Sequence, residues 1–473
     1  MSIPTQRRRP AASGWLRSEL GATFALAWPL VLSNLAINAM VTTNFMMLGW
    51  LSPEALGAAS LAFSLYQPIL VFGIGLVGAL SPIAAARLGA GDGTEGLRRA
   101  THQALLSAVL VSVAAWLLLS QATRILLAIG EPEPLARMAG RYMLGLQWAL
   151  APDLMFFAGR SIFAALGRPR LALLVAIFGL ALNALLNYAL IFGRFGAPDL
   201  GAFGSGLATS LAATATFLCL ITVSRFDPRL RRLRLFALPW RFDRAEFAAL
   251  WRLGLPIAVA ILAEVAVFAG SSLAVGLLGP ASLAAHTAVL QIGSLAFMIP
   301  LGLGQAASVR VGYAFGARDR RAIARAGWSA MGMTIGFACL SAAAMIVAPR
   351  LLVAPFLPDR GPEDAAAIRI AVGLLAVAAA FQIFDSAQAT LSNMLRGLHD
   401  SRIPLVISLV GYWLVGAPVG LALGFGTQLG ALGVWIGLAL GLLTVSVLLL
   451  ARWLRKERRG FLGQTAPPAP HAV

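Results

Sequence analysis

The chain has 473 residues, of which 59% are hydrophobic and only 12% are charged, with a mean hydropathy of +0.82 and a formal net charge of +18. Soluble domains carry about 25% charged residues, so this composition excludes an ordinary water-soluble protein. The two cysteines, Cys219 and Cys339, both fall within apolar segments, which argues against a disulfide or metal framework.

Twelve apolar segments follow one another along the chain, each long enough to cross a bilayer as a helix. Helices are expected because lipid cannot satisfy backbone polar groups and because the segments lack the alternation of barrel strands. The N-terminal MSIPTQRRRP has no apolar core of a cleaved signal peptide. The predicted spans are 22–48, 56–83, 103–128, 140–159, 171–193, 202–224, 250–278, 284–309, 326–348, 366–394, 403–423 and 430–452.

The basic residues are divided unequally between the two sets of alternating loops. One set, which includes both termini and the loop 225–252, holds 30 of the 37 Lys and Arg residues, and the other holds seven. This asymmetry predicts that both termini lie in the cytoplasm. No segment is long enough to form a basic soluble domain, so the charge does not indicate a nucleic-acid partner.

The chain also repeats itself. An offset of 227 residues brings 28–92 onto 255–319 without a gap, and Pro29 then meets Pro256. The offset skips an even number of spans, so the halves are parallel repeats, an arrangement found in transporters. We therefore predict an all-α integral membrane protein with twelve helices in two pseudo-symmetric six-helix bundles and a cavity between them. The expected division is a cytoplasmic tail 1–20, a bundle 21–224, a cytoplasmic linker 225–249, a bundle 250–453 and a cytoplasmic tail 454–473.

Three of the 19 acidic residues fall inside predicted spans, namely Asp153, Glu264 and Asp385. An acid at the centre of a membrane helix costs roughly 2.5–3.5 kcal/mol on insertion scales, and such residues usually mark ion pathways. The alternative is that each is a neutral carboxylic acid hydrogen-bonded between helices. That alternative carries more weight for Asp153, which lies close to the cytoplasmic end of its predicted span.

Other motifs favour structural roles. GIGLVG (73–78) matches a nucleotide-binding pattern, but it lies inside an apolar span with no adjacent strand, so we interpret it as helix packing. His286 is interpreted as a structural polar contact rather than as a titrating gate. The arginines of 225–252 are expected to attract anionic lipid headgroups.

Long blocks of the sequence resemble the multidrug and toxic compound extrusion family in its NorM-like branch. The similarity lies in WRLGLPIAVAILAEVAVF (251–268), in the block 278–319 that begins LGPASLAAHTAV, and in the block 381–420 that begins FQIFDSAQATLSN. RFGAPDLGAFGSGLATS (194–210) resembles the family's stretch between the fifth and sixth helices. The resemblance covers about 20–455.

This resemblance implies an efflux antiporter in the inner membrane that couples the entry of Na⁺ or H⁺ to the export of cationic amphiphilic drugs. Glu264 and Asp385 match the family's acids on the seventh and tenth helices, which belong to the cation site, and Asp364 is a weaker match to a further acid. The family's first-helix acid falls on Asn44, and its fifth-helix pair falls on Asn183 and Asn187. These two asparagines share a helix face, and Thr209 is expected to approach them.

Amides ligate Na⁺ but do not exchange protons, so the first half lacks a titratable group unless Asp153 supplies one. We predict that Glu264 and Asp385 form the cation site and that the cation displaces the drug. No cofactor, obligate protein partner, catalytic residue or metal other than the transported cation is expected. Adaptable apolar candidates for the drug cavity, for which ordinary helix packing is the alternative, are Met40, Met46, Met47, Phe268, Phe297 and Met298.

Two other functions have weaker support. A flippase for a lipid-linked saccharide of the same superfamily would favour a cavity rich in arginine, whereas the charges inside these spans are acidic. An intramembrane enzyme would need paired motifs such as DDxxD or HExxH, and neither occurs in the sequence.

Overall fold

A computed structural model describes residues 12–357 and 361–461, without the side chains of 12–17 and of 362–363. The predicted tails are therefore described only in part, because 1–11 and 462–473 lie outside these ranges. Within them the chain is helical, with the elements α1 Ala12–Leu51, α2 Pro53–Gly78, α3 Leu80–Ala90, α4 Thr94–Leu119, α5 Ala122–Ile129, α6 Glu133–Leu146, α7 Leu150–Ala165, α8 Pro169–Phe192, α9 Gly201–Phe226, α10 Pro228–Leu233, α11 Arg244–Gly276, α12 Pro280–Gly316, α13 Arg320–Val347, α14 Pro349–Val353, α15 Pro362–Gly397, α16 Arg402–Leu409, α17 Ala417–Gly426 and α18 Ala431–Arg458.

Eleven of the predicted spans are present as helices, or as helix runs, that are long and apolar enough to cross a membrane. The span predicted at 140–159 is interrupted instead. A short 3₁₀ turn at Gln147–Ala149 separates α6 from α7, which ends only at Ala165. Hydropathy shows that this segment is apolar, but it does not reveal a change in the winding of the backbone. The all-α membrane fold is confirmed.

The chain forms two compact units, which we name the N-unit and the C-unit. The N-unit contains 32–268 and 399–409, and the C-unit contains the described residues of 1–31, 269–398 and 410–468. The helices α1 and α11 therefore each contribute to both units, the beginning of α1 to the C-unit and the beginning of α11 to the N-unit.

Both α1 and α11 begin before the predicted spans at 22 and 250. Because of this, Glu19 and Glu246, which the sequence assigned to a tail and a linker, lie near the beginnings of helices. The helix α11 begins where the Asp243 carboxylate accepts hydrogen bonds from the backbone N–H groups of Ala245 and Glu246. Such N-terminal caps satisfy donors that the helix itself leaves open.

The predicted linker is folded against the N-unit. Its residues Leu230, Leu235 and Phe236 are buried. Its acids are engaged, since Asp227 lies 3.4 Å from Arg168 and Asp243 lies 3.7 Å from Arg99. The linker arginines at 225, 229, 231, 232, 234, 241 and 244 are exposed. The expectation that these arginines attract anionic lipid stays a prediction.

The GIGLVG segment is part of α2, and two of its glycines allow neighbouring helices to approach closely. A Cβ atom at Gly75 would lie 2.6 Å from the Cα of Ala258 in α11, and one at Gly73 would lie 2.6 Å from the side chain of Leu154 in α7. Small residues allow such close backbone approach in membrane helices. The interpretation of this motif as helix packing is confirmed.

Candidate functional site

The N-unit encloses a cavity of about 100 Å³ between several of its helices. Its walls are mostly apolar, and its lining contains one carboxylate, that of Asp153, and no lysine or arginine. The lining residues are Ile37, Met40, Val41, Asn44, Phe45, Phe63, Tyr66, Leu70, Ile74, Tyr142, Leu146, Asp153, Phe156, Phe157, Ala176, Thr209, Ala213 and Thr216.

Asp153 lies in the first turn of α7, directly after the 3₁₀ turn. Because α7 extends to Ala165, Asp153 lies 12 residues before the end of the broken span, whereas it lies six residues before the predicted end at 159. Tyr66 on α2 lines the same cavity, is 2% exposed, and its hydroxyl interacts with the Asp153 side chain. The cavity therefore pairs an acid with a hydroxyl donor.

Aromatic rings form much of the remaining wall. Phe63 makes an edge-to-face contact with Phe45 at 5.4 Å between ring centroids and lies 6.2 Å from Tyr66. Phe156 and Phe157 flank each other on α7, 6.2 Å apart. Aromatic faces attract organic cations. Sequence reasoning missed these rings, because an aromatic residue in an apolar span carries no signal that separates cavity from core.

The six predicted drug-cavity residues are not brought together in this cavity. Met40 lines it, whereas Met46 is 49% exposed on the surface of the N-unit. Met47 and Phe268 are half-buried in the N-unit, and Phe297 and Met298 are half-buried in the C-unit. The role of these residues in drug binding stays a prediction.

The predicted polar cluster is assembled. The Asn44 amide donates to Thr209 Oγ1 at 3.0 Å, and the Asn187 amide donates to Asn44 Oδ1 at 2.9 Å. Ser205, which the sequence did not single out, donates to Asn187 Oδ1 at 2.7 Å. Asn183 joins through its backbone carbonyl, which accepts from Asn187 at 2.9 Å. Asn44 and Thr209 also line the cavity, so this part of the cluster shares one chamber with Asp153.

Arg160 was expected in a cytoplasmic loop but is a buried residue of α7, 6% exposed. Its guanidinium donates to Asn34 Oδ1 at 2.6 Å and lies over the Phe157 ring, 4.8 Å from the centroid. Arg160 and Asp153 are seven residues apart, so they share a helix face, about 10 Å apart along the axis. Hydropathy placed Arg160 outside the membrane because it ended the apolar segment too early.

In the C-unit, Asp385 is 6% exposed in α15. Gln382, Ser386 and Gln388 of the same helix are also buried. Among the described residues, the Gln382 side-chain amide, the Ser386 hydroxyl and the Gln388 carbonyl oxygen have no hydrogen-bond partners. Oxygen atoms of this kind are the hard ligands that suit Na⁺ or an ordered water.

The remaining predicted acids occupy different places. Glu264 is half-buried in α11 and belongs to the N-unit, but it does not line the cavity around Asp153. Asp364 is half-buried in the first turns of α15. It lies 21 residues before Asp385 on one continuous helix, about 30 Å away at 1.5 Å per residue. The structure therefore does not bring Asp364 to Asp385.

His286 is fully buried in α12 and makes two hydrogen bonds. The Trp435 indole N–H donates to its Nδ1 at 3.0 Å, and Ser272 Oγ lies 3.0 Å from its Nε2. Because an indole nitrogen only donates, Nδ1 is the acceptor, and Nε2 carries the hydrogen that is donated to Ser272. This geometry supports the structural role predicted for His286.

The described side chains do not bring three or more His, Cys, Asp or Glu residues together as a metal site. The chemistry available is cation binding by isolated carboxylates in apolar surroundings, supported by hydroxyl and amide oxygens. The profile of the MatE family matches residues 29–189 and 256–421, which together include most of the cavity lining, Glu264 and Asp385. The chain belongs to the MatE family.

Full-length similarity to MatE-family proteins agrees with this assignment. A probable multidrug resistance protein NorM from Mesorhizobium japonicum is 44% identical over 443 residues, which are 93% of this chain and 95% of the relative. A probable multidrug resistance protein NorM from Brucella suis is 41% identical over 445 residues, 94% of each chain.

Solved structures of transporters share the fold. A eukaryotic MATE transporter, AtDTX14, superposes with a TM-score of 0.83 at 23% identity, over 94% of this chain and 99% of that one. A MOP-superfamily transporter from Pyrococcus furiosus superposes with a TM-score of 0.83 at 19% identity, over 97% of this chain and all of the other. At these identities the likeness concerns the fold alone.

Proposed function

We propose that this multi-pass membrane protein is a secondary active multidrug efflux antiporter. It exports cationic amphiphilic compounds in exchange for Na⁺ or H⁺ by alternating access, in the inner membrane, with both termini in the cytoplasm. Membership of the MatE family and the similarity to probable multidrug resistance proteins NorM support efflux of drugs. The excess of basic residues in one set of loops supports the orientation.

The observation that carries the proposal is the buried carboxylate of Asp385, 6% exposed on a helix whose buried Gln382 and Ser386 side chains have no hydrogen-bond partners among the described residues. An acid buried inside a membrane helix usually marks an ion pathway, and carboxylate and amide oxygens are hard ligands that suit a transported cation. Glu264, on the first helix of the second repeat, carries the second acidic group of the coupling machinery. Ion and drug stabilise different states of the transporter, and this difference couples the two movements.

Purified protein in liposomes tests this proposal directly. Efflux of a fluorescent organic cation should follow an imposed Na⁺ gradient, or an imposed H⁺ gradient, and should stop when that gradient is collapsed by the matching ionophore. Liposomes with neither gradient are the control. Equal drug movement with and without both gradients would contradict coupled antiport.

The lining of the N-unit cavity favours drug export over a flippase. A carrier of a pyrophosphate-linked lipid needs cationic groups in its cavity, whereas the charged residue in this lining is Asp153. The aromatic wall beside Asp153 suits an amphiphilic cation with a flat apolar body.

Asp153→Asn should reduce transport of monovalent organic cations about 10-fold, because the side chain keeps its shape but loses its charge, and ~1.4 kcal/mol of lost attraction corresponds to tenfold. Initial efflux rates across a series of drug concentrations measure the effect. Asp199→Asn, in an exposed loop, is the matched control and should retain the wild-type rate. Wild-type transport by a well-expressed Asp153→Asn protein would show that Asp153 is only a structural, neutral acid.

A further inference from the structure

The two sequence repeats make the same helix crossing. In the N-unit, a Cβ atom at Gly75 of α2 would lie 2.6 Å from the Cα of Ala258 in α11. In the C-unit, a Cβ atom at Gly302 of α12 would lie 3.1 Å from the Cα of Val31 in α1. The offset of 227 residues pairs Gly75 with Gly302 and Val31 with Ala258. The first helix of each repeat therefore crosses the second span of the other repeat at an equivalent glycine.

Each of the two crossing helices also carries a glutamate near its beginning, and the two glutamates are equivalent in the repeat. The same offset pairs Glu19 on α1 with Glu246 on α11. In the C-unit, Glu19 forms an ion pair with Arg310 on α12, and in the N-unit, Glu246 forms an ion pair with Arg87 on α3. The offset places Arg87 on position 314 of the second repeat. Arg310 lies four residues before that position, which is about one helical turn. Each glutamate thus forms an ion pair with an arginine on the second span of the opposite repeat.

The two ion pairs are shielded from solvent. The four side chains are at most 19% exposed, and Glu19 is the most buried of them, at 5%. Arg310 also donates to the Glu19 backbone carbonyl at 3.2 Å, and Arg325 lies 3.8 Å from the Glu19 carboxylate. Exposed ion pairs contribute little, but removal of one partner from a buried pair leaves a charge that water cannot reach.

The Glu246 pair has a neutral neighbour. His399 lies near Arg87 and contacts the Pro82 carbonyl, with 3.4 Å between its Nε2 and the oxygen. Burial lowers the pKa of His399, while the hydrogen bond to Pro82 raises it to a smaller degree and Arg87 lowers it further. The ring is therefore uncharged at neutral pH and does not compete with Arg87 for the Glu246 carboxylate. Glu246 is the ionic partner of Arg87.

We propose that the Glu19–Arg310 and Glu246–Arg87 pairs are two equivalent latches, which hold the transporter closed at the end that carries the linker. The inference rests on the proposed alternating access, since an antiporter must open and close this end in every cycle. Each latch joins the first helix of one repeat to the second span of the other. These same helices carry Asn44 and Glu264 further along, so one continuous helix, with an interior proline at Pro29 or Pro256, connects each latch to a candidate site residue.

The test measures the opening itself. Nitroxide labels are placed at Glu95→Cys and Arg321→Cys, two exposed positions near the latch ends, in a background of Cys219→Ala and Cys339→Ala. Double electron–electron resonance on the full chain in lipid nanodiscs then gives the distribution of label distances. Each of Glu19→Gln and Glu246→Gln should raise the population of the longer distance about 10-fold, as loss of ~1.4 kcal/mol of latch energy predicts, and together their effects should multiply.

Two further variants separate a latch from general damage. Glu133→Gln removes an exposed ion pair between Glu133 and Arg137 within α6 and should leave the distribution unchanged. The exchanged pair Glu246→Arg with Arg87→Glu should restore the wild-type distribution. An unchanged distribution in the Glu19→Gln and Glu246→Gln double variant, or a shift that the exchanged pair fails to reverse, would overturn the proposal.

This readout does not depend on transport. If the distances shift as expected but liposomes show no coupled efflux, the latches stand and the proposed antiport is wrong. If efflux is coupled but the distances do not respond, the antiport stands and the latches are wrong.

Discussion

Glu264→Gln and Asp385→Asn should each abolish drug resistance in a pump-deficient bacterial strain that expresses the protein. Both substitutions keep the size of the side chain and remove its negative charge. Because the carboxylate is the group proposed to bind the coupling cation, loss of its charge should lower the coupled efflux rate about 100-fold, which corresponds to ~2.8 kcal/mol of lost cation binding. Growth inhibition by a cationic drug, together with efflux rates from liposomes, measures the effect.

Asp364, an acid at the other end of the helix that carries Asp385, supplies a matched control. Asp364→Asn should change resistance less than Asp385→Asn, since it lies near the start of α15, far from the buried polar groups around Asp385. Full resistance in either the Glu264→Gln or the Asp385→Asn strain, with normal expression in the membrane, would defeat the assignment of coupling residues.

Gly75→Ala should destabilise the protein markedly, by about 1–3 kcal/mol, the usual cost of overpacking a close contact. The added Cβ atom would lie 2.6 Å from the Cα of Ala258, and backbone atoms cannot move aside as a side-chain end can. Gly302→Ala should be milder, because its nearest neighbour is the Val31 side chain at 2.4 Å, with backbone nitrogen at 2.9 Å. The midpoint of thermal unfolding in detergent measures both.

Gly78→Ala provides the control for this pair. Gly78 belongs to the same GIGLVG segment, but no atom lies within 4 Å of a Cβ built there. Alanine favours a helix over glycine by about 1 kcal/mol, so this variant should be as stable as the wild type or slightly more stable. Equal destabilisation by Gly75→Ala and Gly78→Ala would show that the tight crossing with α11 is not what limits substitution at Gly75.

The sequence predicted the membrane class, the positions of most spans and the repeat, because hydropathy and internal similarity are properties of the chain itself. It also predicted the gathering of Asn44, Asn183, Asn187 and Thr209. That prediction followed from the spacing of Asn183 and Asn187, which share a helix face, and from the family resemblance.

Other features depend on three-dimensional contacts that no local pattern shows. Arg160 was misplaced because a lone basic residue near the end of an apolar segment looks like the start of a loop. Tyr66 gave no signal, since its buried hydroxyl differs from a packed tyrosine only in its surroundings. Glu19 and Glu246 looked like solvated acids beside arginines, and their common role emerges only when each is seen against the opposite repeat. The joint action of Glu264 and Asp385 stays a prediction.

The ring of His286 has a consequence for the route of protons. Both nitrogen atoms of its imidazole are already occupied, one as acceptor from an indole and one as donor to a serine hydroxyl. An incoming proton would find no vacant lone pair there unless the contact with Trp435 were first broken. If H⁺ is the driving ion, its relay through the C-unit must therefore bypass this imidazole and use carboxylates.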